Sequence, residues 1–427
     1  MKKINYLLFL ITLGVILGLL IGIYQKSIYY ITLLSNNLYQ SNKIYIVIIF
    51  ILIIILFSFI NYYLIKKSKS IDGSGIPIIE LGIRDKVKIE YKISLISMFI
   101  NSLISTFIGM PLGSEGPSVV LSAKISSYYL NLNNKKDIEL VALASGIGFG
   151  SAFLSTSSGI SYFFEESLHK FKPKLLIKAL IVMVVAFLIT SLINTNHLLL
   201  VSNTLFTSVS NYYIFIFIIL INVILGVLFI YLHKVIKKNI VNKYKNNFFI
   251  KYRSFFLIFI TVIINFSSFG MLGSGSLLIK DLVNNNSLLL IGLTLLVRYI
   301  LILLCSLGGL TGGLVLPIMS IGALNSHLLV NLLNIAPSIN IDGIEVINLI
   351  SSLSLFCVIT KTPFTSLFLY ISTMLYSTNF DFLLVLKNLP IVIITIYLSY
   401  ILSSIFKVKD LYEEQIDLIN PLEYNTF

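Results

Sequence analysis

Glu115 stands in the run Gly113-Ser114-Glu115-Gly116-Pro117, at the point where an apolar stretch begins. Proline in a first helical turn marks a helix start. Glycines let backbone amides approach closely, and the positive end of the helix favours an anion in front of them. Ionised, Glu115 fills such an anion site itself; protonated, it has no charge to hold it there and swings away. One side chain can then serve as gate and proton carrier. The plainer reading is an interfacial loop carboxylate, but an ionisable group inside a membrane is a functional candidate by default.

The other reactive types are less organised. His169, His197, His233 and His327 are scattered without metal-ligand spacing, so structural or interfacial roles and no metal site are expected. Cys305 and Cys357 lie in or at the ends of apolar runs and read as buried free thiols. Arg298 sits inside an apolar run, either buried in the protein interior or snorkelling to the interface. The many Tyr and Phe read as packing, and no cofactor is expected.

The elements that must position Glu115 follow from composition. Of 427 residues, 57% are hydrophobic and only 11% charged, with a mean hydropathy of +0.96. That is about half the charge of a typical soluble domain. Lipid must be the main solvent, and an all-α polytopic membrane protein follows. The net charge of +13 comes in short clusters between apolar runs and forms no stripe with interleaved aromatics, so nucleic acid is not expected.

Unbroken spanning candidates run over Tyr6 to Tyr24, Ile44 to Ile65, Ala179 to Ile193, Tyr213 to Leu232 and Leu288 to Leu304. The first follows Lys2 and Lys3 without a small-residue cleavage site and reads as a retained span. From Ile93 to Phe164 and from Gly309 to Met374 the apolar stretches are shorter and broken by Gly, Pro, Ser and Thr. In hydrocarbon such breaks are tolerated where they line a wet path or face protein. Basic clusters at Lys2 and Lys3, Lys66 to Lys92, Lys170 to Lys174, Lys234 to Lys245 and Lys407 to Lys409 predict the cytoplasmic side, with both termini inside. The uncharged loop from Asn194 to Asn211 is expected outside.

The chain also resembles itself. Gly73-Ser74-Gly75 precedes the Gly113 run much as Gly273-Ser274-Gly275 precedes Gly312-Gly313-Leu314-Val315-Leu316-Pro317, and Ser/Thr-rich breaks follow at Ser155 to Gly159 and at Thr360 to Ser366. Two inverted repeats, about 1–205 and 206–427, with broken helices converging on one site are the physical reading; chance recurrence of glycine is the bland one.

Gly73-Ser74-Gly75-Ile76-Pro77, the Gly113 to Pro117 run and Gly312 to Pro317, in this order, resemble the three signature segments of the CLC family of chloride channels and proton-coupled chloride transporters. The resemblance runs from the second span to Tyr412. It implies a CLC-like fold of two inverted repeats and a homodimer with one anion pathway per subunit. The implied anion site comprises the Ser74 hydroxyl beside Gly75 and Ile76, the backbone amides of Leu314 and Val315, and Tyr412. Hydroxyls and amide dipoles bind chloride firmly enough to admit it and weakly enough to release it, with no cation needed. Glu115 matches the gating glutamate. Glu166, second in the acidic pair ending Gly159 to Glu166, matches the internal proton-transfer residue of the exchangers; pairing with Lys170 is the ordinary alternative.

Three departures stand out. Ser114 replaces the usual Arg or Lys before the gate, Val315 replaces a phenylalanine, and Leu154-Ser155-Thr156 replaces an Asn-Ala-Pro. The expected activity is chloride–proton exchange across the cytoplasmic membrane of a prokaryote. No cytoplasmic regulatory domain is expected, since only a short tail follows Tyr412. The rivals are a passive chloride channel of the same fold, a fluoride exchanger, disfavoured by the intact Ser74 and by Pro117, and an intramembrane serine protease built on Ser74 or Ser158.

Overall fold

The structure, a computed structural model, describes residues 2–41, 43–199, 212–266, 273–281, 287–335, 341–378 and 380–419. The predicted division between the halves, the outer part of the loop from Asn194 to Asn211, and the last eight residues lie outside the described residues.

The described residues form helices joined by loops, with two isolated β-bridges. In the first half these are α1 (Lys2–Tyr39), α2 (Ile44–Lys67), α3 (Ile76–Ile83), α4 (Ile93–Ile108), α5 (Glu115–Leu132), α6 (Ile138–Ala152), α7 (Thr156–Tyr162) and α8 (Pro173–Ile193). In the second they are α9 (Ile214–Ile236), α10 (Phe248–Lys251), α11 (Arg253–Phe266), α12 (Ser276–Asp281), α13 (Leu288–Leu307), α14 (Val315–Leu333), α15 (Ile344–Thr360), α16 (Pro363–Ser377), α17 (Phe382–Ile405) and α18 (Leu411–Asp417).

Packing repeats between the halves. Helix α1 lies on α8 as α9 lies on α17; α5 on α6 as α14 on α15; α4 on α5 as α13 on α14. Where the halves meet, Gly113 and Gly313 exchange N–H···O=C hydrogen bonds of 2.7 Å in an antiparallel bridge, the reciprocal pairing that a two-fold axis between inverted repeats produces. A Cβ on Gly313 would stand 2.5 Å from the Gly116 nitrogen, so the two chains cross here only because the residue is glycine. The Gly312 N–H donates to the Gly73 carbonyl at 3.1 Å, tying the first motif to the third.

Seven described helices are long and apolar enough to cross a bilayer, in keeping with a multi-pass membrane protein. Two differ from the sequence expectation. Helix α14 falls in a region expected to hold only shorter stretches, yet runs unbroken for 19 residues because Pro317 sits in its first turn, where its missing N–H costs nothing. Helix α17 was not expected as a span; Lys387, Asn388 and Pro390 interrupt its apolar pattern, and the helix continues through Pro390. Helix α1 also extends well past Tyr24, to Tyr39. The breaks expected at Ser155 to Gly159 and Thr360 to Ser366 are shorter than expected: α7 already starts at Thr156, capped by Ser155, which accepts from the Ser158 N–H, and only Lys361 and Thr362 separate α15 from α16.

Members of three of the basic clusters gather at one end. Around α18, Arg84 pairs with Glu413, Lys234 with Glu414 (2.9 Å) and Lys409 with Asp417 (2.5 Å). Helix α8 starts at this end beside Lys172 and finishes 21 residues later at Asn194, about 30 Å away at the opposite end.

Candidate functional site

The N-termini of α5 and α14 point at one spot, and Glu115 occupies it. Its side chain is fully buried, packed against Gly113 and Gly313, and neither carboxyl oxygen has a hydrogen-bond partner. The carboxyl faces the backbone amides of Leu316, Ser114 and its own residue without closing a hydrogen bond. These amides are unpaired because the first N–H groups of any helix lack an intrahelical acceptor. A Cβ on Gly113 would run into the carboxyl, so that glycine is what gives it room.

Ser74 joins the same spot from the first motif. Its Cβ lies 3.1 Å from where a Cβ on Gly116 would stand, and its hydroxyl accepts from the Ile76 N–H at 3.3 Å. Gly75 turns the chain into α3 with φ of +72°, a left-handed conformation. Ile76, Leu314 and Val315 are all buried at the starts of α3 and α14. Tyr412, from α18, is buried within electrostatic range of both Glu115 and Glu166. All eight predicted residues are buried, and Tyr412 feels the charges of both Glu115 and Glu166. The amide facing Glu115 is that of Leu316, one position beyond the expected pair.

Cavities approach this region from both ends. One is lined by Ser74, Gly75, Leu314, His233, Lys237 and Gln415, and opens at the basic end. The other is lined by Gln25, Ser114, Asn194, His197, Ser274 and Tyr376, and opens at the opposite end. Leu112, three residues before Glu115, borders both.

The acidic pair separates into two environments. Glu165 caps α16: its carboxylate accepts from the N–H groups of Phe364 (2.9 Å) and Thr365 (2.7 Å) and from the Thr365 hydroxyl (2.7 Å). Replacing it with alanine is expected to cost about 1–2 kcal/mol, read as a lowered Tm of the purified protein, because the cap is lost. Glu166 instead sits on a π-turn, Phe163–Ser167, buried and facing Glu80 of α3, carboxyl to carboxyl. One oxygen of each lacks a hydrogen-bond partner. Glu80 is in turn 3.5 Å from Arg84 and 3.9 Å from His169 at the basic end. The neighbouring Glu80 carboxyl raises His169 above its ordinary value, and the Arg84 guanidinium holds Glu413 below the usual carboxylate range. Glu80, His169 and Glu413 lie close enough together for a cation, but Arg84 already contacts all three.

Sequence reasoning missed Glu80 and Gln25. The Ser114 hydroxyl donates to Gln25 Oε1 (3.0 Å), and Gln25 Nε2 donates to the Ser118 hydroxyl (2.8 Å). A neutral clamp from α1 thus stands at the position where the family usually has a cation. The available signal was Gln25 itself, a polar residue at the end of a long apolar run. Arg298 is interior, bonded to the Ser320 hydroxyl (2.6 Å) and the Gly273 carbonyl (3.1 Å). The Ser158 hydroxyl donates to the Ser155 carbonyl at 3.2 Å, a back-bond within the first turn of α7.

Two inverted halves meeting on a buried carboxylate define a polytopic membrane protein of inverted-repeat design. Residues 57–403 match the family model described as voltage gated chloride channel, and the chain belongs to that family, the CLC family. A 171-residue stretch is 26% identical to the H(+)/Cl(-) exchange transporter ClcA of Citrobacter koseri, covering 38% of this chain and 36% of that protein. The matched stretch thus spans about a third of that relative's length. The fold is similar to that of a slow cyanobacterial Cl-/H+ antiporter, with a TM-score of 0.81 at 18% identity over 96% of this chain and 97% of the other. It is also similar to a CLC-type fluoride/proton antiporter, with a TM-score of 0.76 at 19% identity over 97% and 98%. A eukaryotic CLC transporter gives a TM-score of 0.76 at 16% identity over 97% of this chain and 74% of that one.

Proposed function

We propose that the protein exchanges chloride for protons across the cytoplasmic membrane. The observation that carries this reading is the Glu115 carboxyl, buried and unpartnered among helix-terminal amides between two opposed cavities. In this reading the ionised carboxylate is one occupant of an anion site formed with Ser74, Gly75, Ile76, Leu314, Val315 and Tyr412, and chloride is the other. When chloride displaces it, a desolvated carboxylate takes up a proton, since an isolated buried charge is costly. Glu166, with Glu80 beside it, exchanges that proton with the basic end, which by the positive-inside rule is the cytoplasmic end. Both termini are then cytoplasmic. The two halves act as one transport unit, and a homodimer carries one such pathway in each subunit.

The test is a paired chloride and pH recording on reconstituted vesicles. An outward chloride gradient is expected to drive protons inward against their own gradient. Chloride movement with no opposing proton movement overturns exchange and leaves the passive channel. Fluoride transport in preference to chloride favours the fluoride exchanger, and peptide cleavage without ion flux favours the protease.

A further inference from the structure

Lys124 holds its side-chain nitrogen in the protein interior, 1% exposed, nine residues along α5 from Glu115. Its one hydrogen bond among the described residues is donated to a neutral group, the Ser70 hydroxyl, at 3.0 Å. It forms no ion pair among the described residues; Glu90 acts on it only through space. A buried ammonium with no directly paired anion is costly, so a charged Lys124 calls for an anion close by.

Its surroundings say which. The Ser70 carbonyl and the Val120 side chain each lie 3.1 Å from where a Cβ on Gly75 would stand. Val120 is one helical turn before Lys124 and shares its face of α5. The ammonium's hydrogen-bond partner and its neighbour on the helix both border the loop that presents Ser74. Position 114, in contrast, is neutral and clamped to Gln25.

We propose that Lys124 supplies the buried positive charge whose counter-ion is the halide held at Ser74. It acts as a positioning charge through the Ser70 loop, not as a direct ligand. The inference rests on the reading of Ser74 as an anion site and identifies where that site's positive field comes from. Unit charges ~10 Å apart at an effective dielectric of ~20 attract strongly enough to change affinity by about tenfold.

The experiment is isothermal titration of chloride, bromide and nitrate into purified protein in detergent, for wild type, Lys124→Met and Lys124→Arg. Lys124→Met is expected to weaken all three anions by a common factor of about ten, and Lys124→Arg to restore most of the loss. A chloride Kd in Lys124→Met within twofold of wild type overturns the proposal. So does a changed ranking of the three anions without a common loss, which a merely structural role produces. If Lys124→Met does not yield a monodisperse protein, Lys124→Gln is read in the same way. Wild type that binds none of the three anions refutes the Ser74 site itself, a failure distinct from that of Lys124.

Discussion

Glu115→Gln is expected to abolish chloride-driven proton movement in reconstituted vesicles while chloride flux continues. Glutamine keeps nearly the volume of the side chain, so the packing against Gly113 and Gly313 survives. It cannot carry a proton, and it removes the negative charge that competes with chloride for the amides of Leu316 and Ser114. Proton flux is expected to fall by about a hundredfold or more, the scale on which a positioned proton donor contributes. Chloride flux should also lose its dependence on pH, because no titrating gate remains. A paired chloride and pH recording reads both effects, and a mutant that keeps its pH dependence counts against the gate assignment.

Glu166→Gln is expected to suppress proton flux to a similar degree but for a different reason. Glu115 can still open and close, yet its proton no longer reaches the basic end, because the carboxyl facing Glu80 is gone. Chloride flux persists and stays sensitive to pH on the side opposite the basic clusters, where Glu115 still titrates. The neighbouring carboxylate is the internal control. Glu165 is committed to the first amides of α16, so its loss lowers stability and leaves coupling in place. Equal loss of proton flux in the Glu165 and Glu166 variants contradicts the division of roles.

What the sequence reveals and conceals follows from how local each feature is. The Gly113 to Pro117 run is readable because the requirements of a tight backbone crossing, a helix start and an anion-facing terminus all fall on adjacent residues. The repeat itself is readable for a similar reason, since both halves carry the same glycine spacing, while the Gly113–Gly313 pairing shows only in the fold. Helix α17 was hidden because Pro390 looks like a terminator in sequence, whereas neighbouring helices in a bundle support the interrupted ladder. Glu80 facing Glu166, Gln25 reaching Ser114 and Lys124 reaching Ser70 are contacts between segments far apart in sequence: α3 with the π-turn after α7, α1 with the start of α5, and α5 with the turn before α3. No spacing rule reports them. Glu165 and Glu166, consecutive in the turn Phe163–Ser167, point in different directions as neighbours on any helix do, and so meet different partners.

Competition between one carboxylate and a halide for the same helix-terminal amides is tested most directly by anomalous diffraction from Glu115→Gln crystals grown in bromide. An anomalous peak where the Glu115 carboxyl lies, between Gly113, Gly313 and the Leu316 amide, is the expected result. Bromide at Ser74 and Tyr412 with nothing at the carboxyl's position, in crystals saturated with the ion, contradicts it.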